Sequence, residues 1–116
     1  MSAVKEKSAD FAVRIVEMYK YLSESKREYV ISKQMLRSGT SIGANVHEGE
    51  YAQSKADFLS KMSIALKEAA ETEYWLGLLS RTGYIGVKQY DSMSGDCVEL
   101  IKLLTSITKS TKINLN

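Results

Sequence analysis

The stretch from Gln34 to Gly49, QMLRSGTSIGANVHEG, contains a polar pattern that ordinary solvent-facing helices do not show. At about 100° per residue, six of its polar side chains fall inside one arc roughly 100° wide. They are Gln34, Arg37, Ser38, Ser41, Asn45 and Glu48. The adjoining arc is apolar and contains Ile31, Met35, Ile42 and Val46. Because the polar stripe borders an apolar face instead of lying opposite it, we predict that it forms a hydrogen-bonded seam.

Composition indicates one all-α domain. The chain has 116 residues, which fits one domain with a proper core. It has no proline and only seven glycines, so the residues that most often punctuate sheets and long loops are scarce. No apolar run approaches the roughly 18 residues of a membrane span. We therefore expect a helical domain that does not cross a membrane.

Charge and cysteine content bear on location and partners. The start of the chain lacks the apolar segment of a secretory signal, and Cys97 is the single cysteine, so we expect a cytoplasmic protein. Basic residues exceed acidic ones by only 16 to 14, too few to indicate nucleic-acid binding on charge alone. After Glu99, however, the chain carries Lys102, Lys109 and Lys112 and no acid. These lysines either complement the dipole of a helix C-terminus or contact RNA.

Apolar periodicity predicts four helices, at about 8–23, 27–51, 54–82 and 87–110. Ser54 followed by Asp57 is a variant of the capping box and marks the start of the third helix. Gly83 stands where a left-handed residue would end it. Short connections favour antiparallel neighbours. The predicted fold is a single all-α domain over 1–116, an antiparallel up-down-up-down four-helix bundle.

The third predicted helix has two sides that need partners. One is a near-heptad apolar seam made of Phe58, Met62, Ala65, Ala69, Thr72, Leu76 and Leu79. The other contains Ile64, Glu68, Glu71, Trp75 and Leu78 and lies well round the helix. One neighbouring helix could not cover both sides. We therefore predict that Ile64, Trp75 and Leu78 form an oligomer interface.

The acidic residues of this second side can meet the polar stripe. If the second and third helices pack antiparallel, Arg37 or Asn45 can reach Glu68 or Glu71, and the planar fork of arginine suits such a pairing. We predict a structural polar network that fixes the register of the bundle or of a subunit interface, with members Gln34, Arg37, Ser41, Asn45, Glu48, Glu68 and Glu71. The alternative is that these side chains are simply solvated.

The sequence offers little that catalysis requires. A di-iron bundle needs Glu-x-x-His pairs, whereas the only histidine, His47, is preceded three positions earlier by Ala44. Cys97 lies on an inner helical arc, where free cysteine behaves as a small apolar residue. Gly39 and Gly43 are four apart on a helix, which permits close helix packing and does not form a phosphate-binding loop. We predict no enzymatic activity, no metal site and no cofactor.

The region from Gln34 through Leu79 resembles the four-helix-bundle family of proteins encoded in intervening sequences of bacterial 23S ribosomal RNA genes. The family pattern Gln-x-x-Arg, Ser-Ile-x-x-Asn and Glu-Gly stands here as Gln34, Arg37, Ser41, Ile42, Asn45, Glu48 and Gly49. It continues into Ser54, Phe58, Leu59, Ala65, Glu68 and Glu71. Gly39 departs from a typical alanine, and Tyr51-Ala52 stands where a basic residue is common.

The resemblance implies a bacterial protein that assembles into a homopentameric ring, has no recognised enzymatic activity and is of uncharacterised function. A related branch is the accessory protein of diversity-generating retroelements, which binds the reverse transcriptase and RNA. The leading interpretation is a non-enzymatic oligomeric interaction protein of the cytoplasm, whose partners are other copies of itself and RNA or an RNA-binding protein. The alternative is a protein–protein scaffold or adaptor without nucleic-acid binding, which the net charge of only +2 favours.

Overall fold

The computed structural model describes residues 2–115, which form four helices. These are α1 (Ser2–Glu24), α2 (Ile31–Gly49), α3 (Lys55–Arg81) and α4 (Val87–Leu115). Each helix packs against the next along the chain, and α1 also contacts α4, which closes an elongated body of 49 × 21 × 21 Å. The predicted all-α, antiparallel four-helix bundle is confirmed. The ends of the predicted domain, Met1 and Asn116, lie outside the described residues.

The helix bounds differ from the predicted ones at three places. α1 begins earlier than residue 8 because Val4 in its first turns is buried in the core. α4 continues beyond residue 110 as an exposed helical end. α2 begins at Ile31 and not near 27, because Arg27 adopts a left-handed φ of 53° and cannot continue a helix.

Glu28 caps the start of α2, which the sequence analysis did not predict. Its Oε1 accepts a hydrogen bond from the Ser32 amide at 2.7 Å, and its Oε2 accepts from the Ile31 and Val30 amides at 3.0 and 3.2 Å. Burial of the carboxyl opposes ionisation, but these amide bonds outweigh it and lower the pKa of Glu28. The stabilisation is present above the ordinary pKa of 4.5 and is lost as the pH falls through the lowered value of the folded state.

The ends of α3 follow their sequence signals. Ser54 Oγ accepts a hydrogen bond from the Asp57 amide at 3.1 Å, and Asp57 Oδ2 accepts one from the Gln53 amide at 3.1 Å. At the other end, Gly83 has a φ of 83°, which a residue with a side chain rarely adopts. The Tyr84 amide then donates to the Leu79 carbonyl at 2.9 Å, which closes the last turn.

Glycine brings α1 unusually close to α2. A Cβ atom added to Gly39 would lie 2.7 Å from Ile15 Cγ1, and one added to Gly43 would lie 3.2 Å from the Ser8 carbonyl oxygen. Ile15 is fully buried and packs directly on the Gly39 backbone. The close helix approach that the glycine spacing predicts is therefore made by α1 of the same chain.

Among the four helices of residues 2–115, none combines the length and the apolar character that crossing a membrane needs.

Substitution Gly39→Ala is expected to lower the free energy of unfolding by about 1–3 kcal/mol, because the added methyl group overlaps a buried, β-branched side chain that cannot move aside. Gly95→Ala is the matched control, since a Cβ there has no neighbour within 4 Å. It should stabilise by roughly 0.5–1 kcal/mol through helix propensity. Urea unfolding followed by circular dichroism at a fixed protein concentration measures both. Equal effects of the two substitutions would contradict the close packing.

Candidate functional site

Arg37 connects α2 to two successive turns of α3. Its Nη1 donates a hydrogen bond to Glu68 Oε2 at 2.9 Å, and its Nη2 donates to Glu71 Oε2 at 2.6 Å. The indole Nε1 of Trp75 donates to the same Glu71 oxygen at 2.9 Å. The predicted partners of Arg37 are thus in contact, and Trp75 joins them.

Electrostatics within this cluster favour the charged forms. The pKa of Glu71 is lowered first by the hydrogen bond from the Trp75 indole and then by the one from Arg37. The pKa of Arg37 is raised, chiefly by its hydrogen bond to Glu71. The Arg37 side chain is 53% exposed, so solvent screens both ion pairs and each contributes well under about 1 kcal/mol. We therefore expect Arg37 to contribute mainly to the relative alignment of α2 and α3.

A second polar contact between α2 and α3 lies directly beneath Arg37. The hydroxyl oxygens of Ser38 and Thr72 are 2.8 Å apart, and both residues are fully buried. Thr72 Oγ1 also lies 2.7 Å from the Glu68 carbonyl oxygen. In the sequence Thr72 belongs to the apolar seam, because a threonine at a core position gives no sign of its partner. The contact between Ser38 and Thr72 adds a buried polar pair to the predicted network.

The rest of the predicted network divides into separate contacts. Ser41 Oγ donates to the Arg37 carbonyl at 2.7 Å, and Asn45 Nδ2 donates to the Ser41 carbonyl at 2.8 Å, so both serve the backbone of α2. Glu48 forms an ion pair with Lys61 of α3 at 3.0 Å. Gln34 is exposed and makes no side-chain hydrogen bond to another described residue.

Of the two side chains that could reach Glu68 or Glu71, Arg37 does so, whereas Asn45 bonds within its own helix. The antiparallel register explains this, because Arg37 meets Glu68 and Glu48 meets Lys61, which places Asn45 opposite the turn that contains Ile64.

The predicted interface residues belong to an apolar strip that we call the α3 ridge: Ile64, Tyr74, Trp75 and Leu78. Ile64 is 40% exposed, and Trp75 and Leu78 are half-buried. Tyr74 is 62% exposed and packs edge-on against Trp75, with ring centroids 5.0 Å apart. The sequence analysis did not include Tyr74 in this strip. Its position next to Trp75 on the outer side of the helix could have indicated it.

A second uncharged surface was not predicted. It consists of Ala9, Val13 and Val16 of α1 with Thr40 and Ala44 of α2, and we call it the α1/α2 face. Val13 is 59% exposed and Val16 is 37% exposed. A shallow groove between the two helices is lined mostly by small uncharged residues, together with Lys5 and His47: Ser8, Ala9, Ala12, Thr40, Gly43, Ala44 and Val46. The spacing of Ala9, Val13 and Val16 at i, i+4 and i+7 is the signal that could have revealed it.

The remaining candidate side chains have structural surroundings. The Cys97 thiol donates to the Ala69 carbonyl at 3.2 Å, and burial raises its pKa to about 12, so the thiol stays protonated. His47 is exposed and lies beside Tyr51 with ring centroids 5.6 Å apart. In the part of the chain that the structure describes, no group of His, Cys, Asp and Glu could hold a metal ion.

The predicted RNA-contacting lysines Lys102, Lys109 and Lys112 lie exposed along the second half of α4. They form no ion pair with any described residue. These lysines are accessible to solvent, and their positions fit both interpretations, a complement to the dipole of α4 and a contact with RNA.

The fold and surface define a class of small helical-bundle protein with a polar seam between two helices and uncharged strips on its outside. The family model described as 23S rRNA-intervening sequence protein matches residues 2–106. The chain therefore belongs to the 23S rRNA-intervening sequence protein family, as its resemblance predicted.

A solved relative extends this comparison. The crystal structure of a protein with unknown function from the S23 ribosomal protein family of Bacteroides thetaiotaomicron is 62% identical to this chain, with a TM-score of 0.91. The match covers 91% of this chain and 98% of that one. Among curated proteins, none matches this chain.

Substitution Arg37→Met should lower the free energy of unfolding by about 0.5–1 kcal/mol near neutral pH, because it removes two screened ion pairs. The loss should shrink as the pH falls below 4.5, since the carboxylate of Glu71, whose pKa is lowered in the folded state, then becomes protonated. Lys33→Met on the same helix is the control, because Lys33 is exposed and has no ion pair among the described residues. Unchanged stability and unchanged particle mass for Arg37→Met would remove the network hypothesis.

Proposed function

We propose that this protein is a non-enzymatic interaction protein that assembles with copies of itself and associates with RNA. The observation that carries the self-assembly is the pair of exposed surfaces rich in apolar side chains, the α3 ridge beside Glu71 and the α1/α2 face beside Lys5. The α3 ridge presents large side chains such as Tyr74 and Ile64, whereas the α1/α2 face presents small ones such as Ala9 and Ala44. A ridge of large residues fits a groove of small residues, so the ridge of one copy is a suitable occupant for the face of the next.

The relative orientation of the two surfaces supports a closed ring. Trp75 lies toward Arg37 of α2, whereas Tyr74 and Leu78 line a groove together with Tyr90 of α4, so the α3 ridge covers the outer corner of α3. In an idealised square bundle the directions from the α2/α3 side to this corner lie roughly 90–135° from the α1/α2 side, and such angles between successive contacts close rings of about four to eight subunits. The pentamer implied by the family resemblance falls within this range.

The RNA part of the proposal has separate support. The family to which the chain belongs is described by the intervening sequence of 23S rRNA, and the solved relative is assigned to an S23 ribosomal protein family. Exposed and unpaired lysines provide groups that phosphates could attract. The proposed location is the bacterial cytoplasm, where ribosomal RNA resides, and an RNA-binding protein is the second partner class.

Self-assembly is tested with variants of each surface. Val13→Glu and Tyr74→Glu should each reduce the particle to a monomer of 13.0 kDa by light scattering, because each places a charge in an apolar contact. The control Val87→Glu, at a residue 73% exposed at the start of α4, should leave the mass unchanged. An equimolar mixture of the Val13→Glu and Tyr74→Glu proteins should form a 1:1 heterodimer, because one intact face and one intact ridge remain.

This mixture separates the proposed contact from a two-fold one. If two α1/α2 faces met each other, Tyr74→Glu alone would still associate and the mixture would gain nothing. If the wild-type protein stays monomeric at concentrations up to about 100 times a micromolar dissociation constant, self-assembly is rejected altogether.

RNA association predicts a steep salt dependence. Binding of a fluorescently labelled, structured RNA should weaken as salt rises, with a slope that reports the number of phosphates contacted. The measurement needs only the wild-type protein in one buffer, with the salt concentration raised stepwise from low to physiological. A negligible signal that does not change with salt would reject the RNA part and leave the scaffold alternative.

A further inference from the structure

Charge is distributed unevenly along the bundle, and the net value of +2 conceals this. Both the α1–α2 and the α3–α4 connections lie at one end, because α1 and α3 end there and α2 and α4 begin there. We call this the connection end and define it by its cations: Lys20, Lys26, Arg27, Lys33, Arg81 and Lys88. We infer that the connection end is the surface that contacts unpaired RNA, an inference that rests on the RNA association proposed above.

The cations of the connection end are free to bind an anion. Each is exposed, and none forms an ion pair with another described residue. They come from the α1–α2 connection and from the adjoining turns of all four helices, so they surround an end face of about 21 × 21 Å. A cluster of accessible basic residues on one face is the electrostatic pattern of a nucleic-acid-binding surface.

The opposite end differs, although it also contains basic residues. There Lys5 pairs with Glu50 at 3.2 Å, and Lys61 pairs with Glu48 at 3.0 Å. Lys7, close by on α1, pairs with Glu99 at 3.2 Å. A cation that already has a carboxylate partner must share it or release it before it can bind a phosphate. Free cations on this side of the molecule are Lys55 at the start of α3 and Lys102, Lys109 and Lys112 in the second half of α4. The connection end therefore has the larger set of unpaired basic residues among the described ones.

The capping role of Glu28 reduces repulsion at the connection end. Glu28 is only 8% exposed, and its carboxylate accepts hydrogen bonds from three amides at the start of α2. This negative charge is thus set against the positive end of the helix dipole. Of the acids at this end, Glu24 and Asp91 remain exposed.

Aromatic and basic side chains occur together in the α1–α2 connection. Tyr29 is 51% exposed, and it follows directly on Lys26, Arg27 and Glu28 in the chain. The left-handed backbone at Arg27, with φ of 53°, breaks the helical path between α1 and α2. An exposed tyrosine beside cations offers a stacking platform for a base and contacts for the neighbouring phosphates, which favours single-stranded or looped RNA.

Two variants of equal charge change test the inference. The connection-end variant is Lys26→Gln, Arg27→Asn and Lys88→Gln, with asparagine chosen at Arg27 because it tolerates a left-handed φ. The C-terminal variant is Lys102→Gln, Lys109→Gln and Lys112→Gln. The probe is a labelled RNA hairpin with a single-stranded loop. At low salt the connection-end variant should bind it at least about 10-fold more weakly and with a shallower salt slope, and the C-terminal variant should change affinity less than about 3-fold.

Variants of Tyr29 distinguish base stacking from purely electrostatic binding. Tyr29→Ala should weaken binding by about 5-fold or more while leaving the salt slope unchanged, and Tyr29→Phe should retain the affinity, because the ring and not the hydroxyl stacks on a base. All substituted side chains are exposed, and circular dichroism and particle mass should match those of the wild-type protein.

The outcomes separate the two levels of the proposal. If the wild-type protein fails to bind the hairpin, the RNA association falls together with this inference. If the wild-type protein binds and only the C-terminal variant is impaired, the inference is wrong and the RNA association stands. The protein could also bind anionic lipid vesicles and not the hairpin. If vesicle binding requires the cations of the connection end, the partner of this surface is a membrane and the inference is overturned.

Discussion

The register between α2 and α3 is the constraint on which the rest of the molecule depends. Arg37 with Glu68 and Glu71, Ser38 with Thr72, and Glu48 with Lys61 are polar contacts at successive levels of one antiparallel pair. A slip of one helical turn would separate all of them, and it would leave the buried hydroxyls of Ser38 and Thr72 without each other. The α3 ridge lies on α3, and part of the α1/α2 face lies on α2. The register between these two helices therefore also sets the position of one surface relative to the other.

Energy and specificity come from different parts of the bundle. Large side chains such as Phe11, Leu76 and Leu104 are fully buried, and their removal from water drives folding. They tolerate more than one alignment of helices, whereas polar contacts tolerate few. Gly39 adds a steric constraint, since only a residue without Cβ lets Ile15 pack on the α2 backbone. We therefore expect the screened ion pairs of Arg37 to contribute more to helix alignment than to stability, which is the use of polar groups best attested in helical assemblies.

The fold was predictable because apolar periodicity, Ser54 and Gly83 are local signals, and the Arg37 contacts followed from antiparallel packing. The Glu28 cap was missed because glutamate is not a usual N-cap residue and nothing local marks Arg27 for a left-handed backbone. The α1/α2 face was missed because a single exposed valine carries no information, and its partners Thr40 and Ala44 lie on another helix. The connection end was missed for a stronger reason: Lys26 and Lys88 become neighbours only through topology, and summing charge along the chain cancels them against distant acids.

The two proposed surfaces reinforce each other, because one uses the sides of the bundle and the other uses an end. In a ring whose subunits touch through their sides, with bundle axes roughly parallel to the ring axis, the connection ends of all subunits lie on the same rim. Exposed cations such as Arg27 and Arg81 then recur around that rim, and the paired lysines such as Lys5 recur on the opposite one. Electrostatic attraction for a polyanion depends on the local density of such charges within about 10 Å, the screening length in salt, and not on the total charge of the particle. A net charge of only +2 per chain is therefore compatible with RNA binding, provided that assembly gathers the cations of the connection ends on one rim.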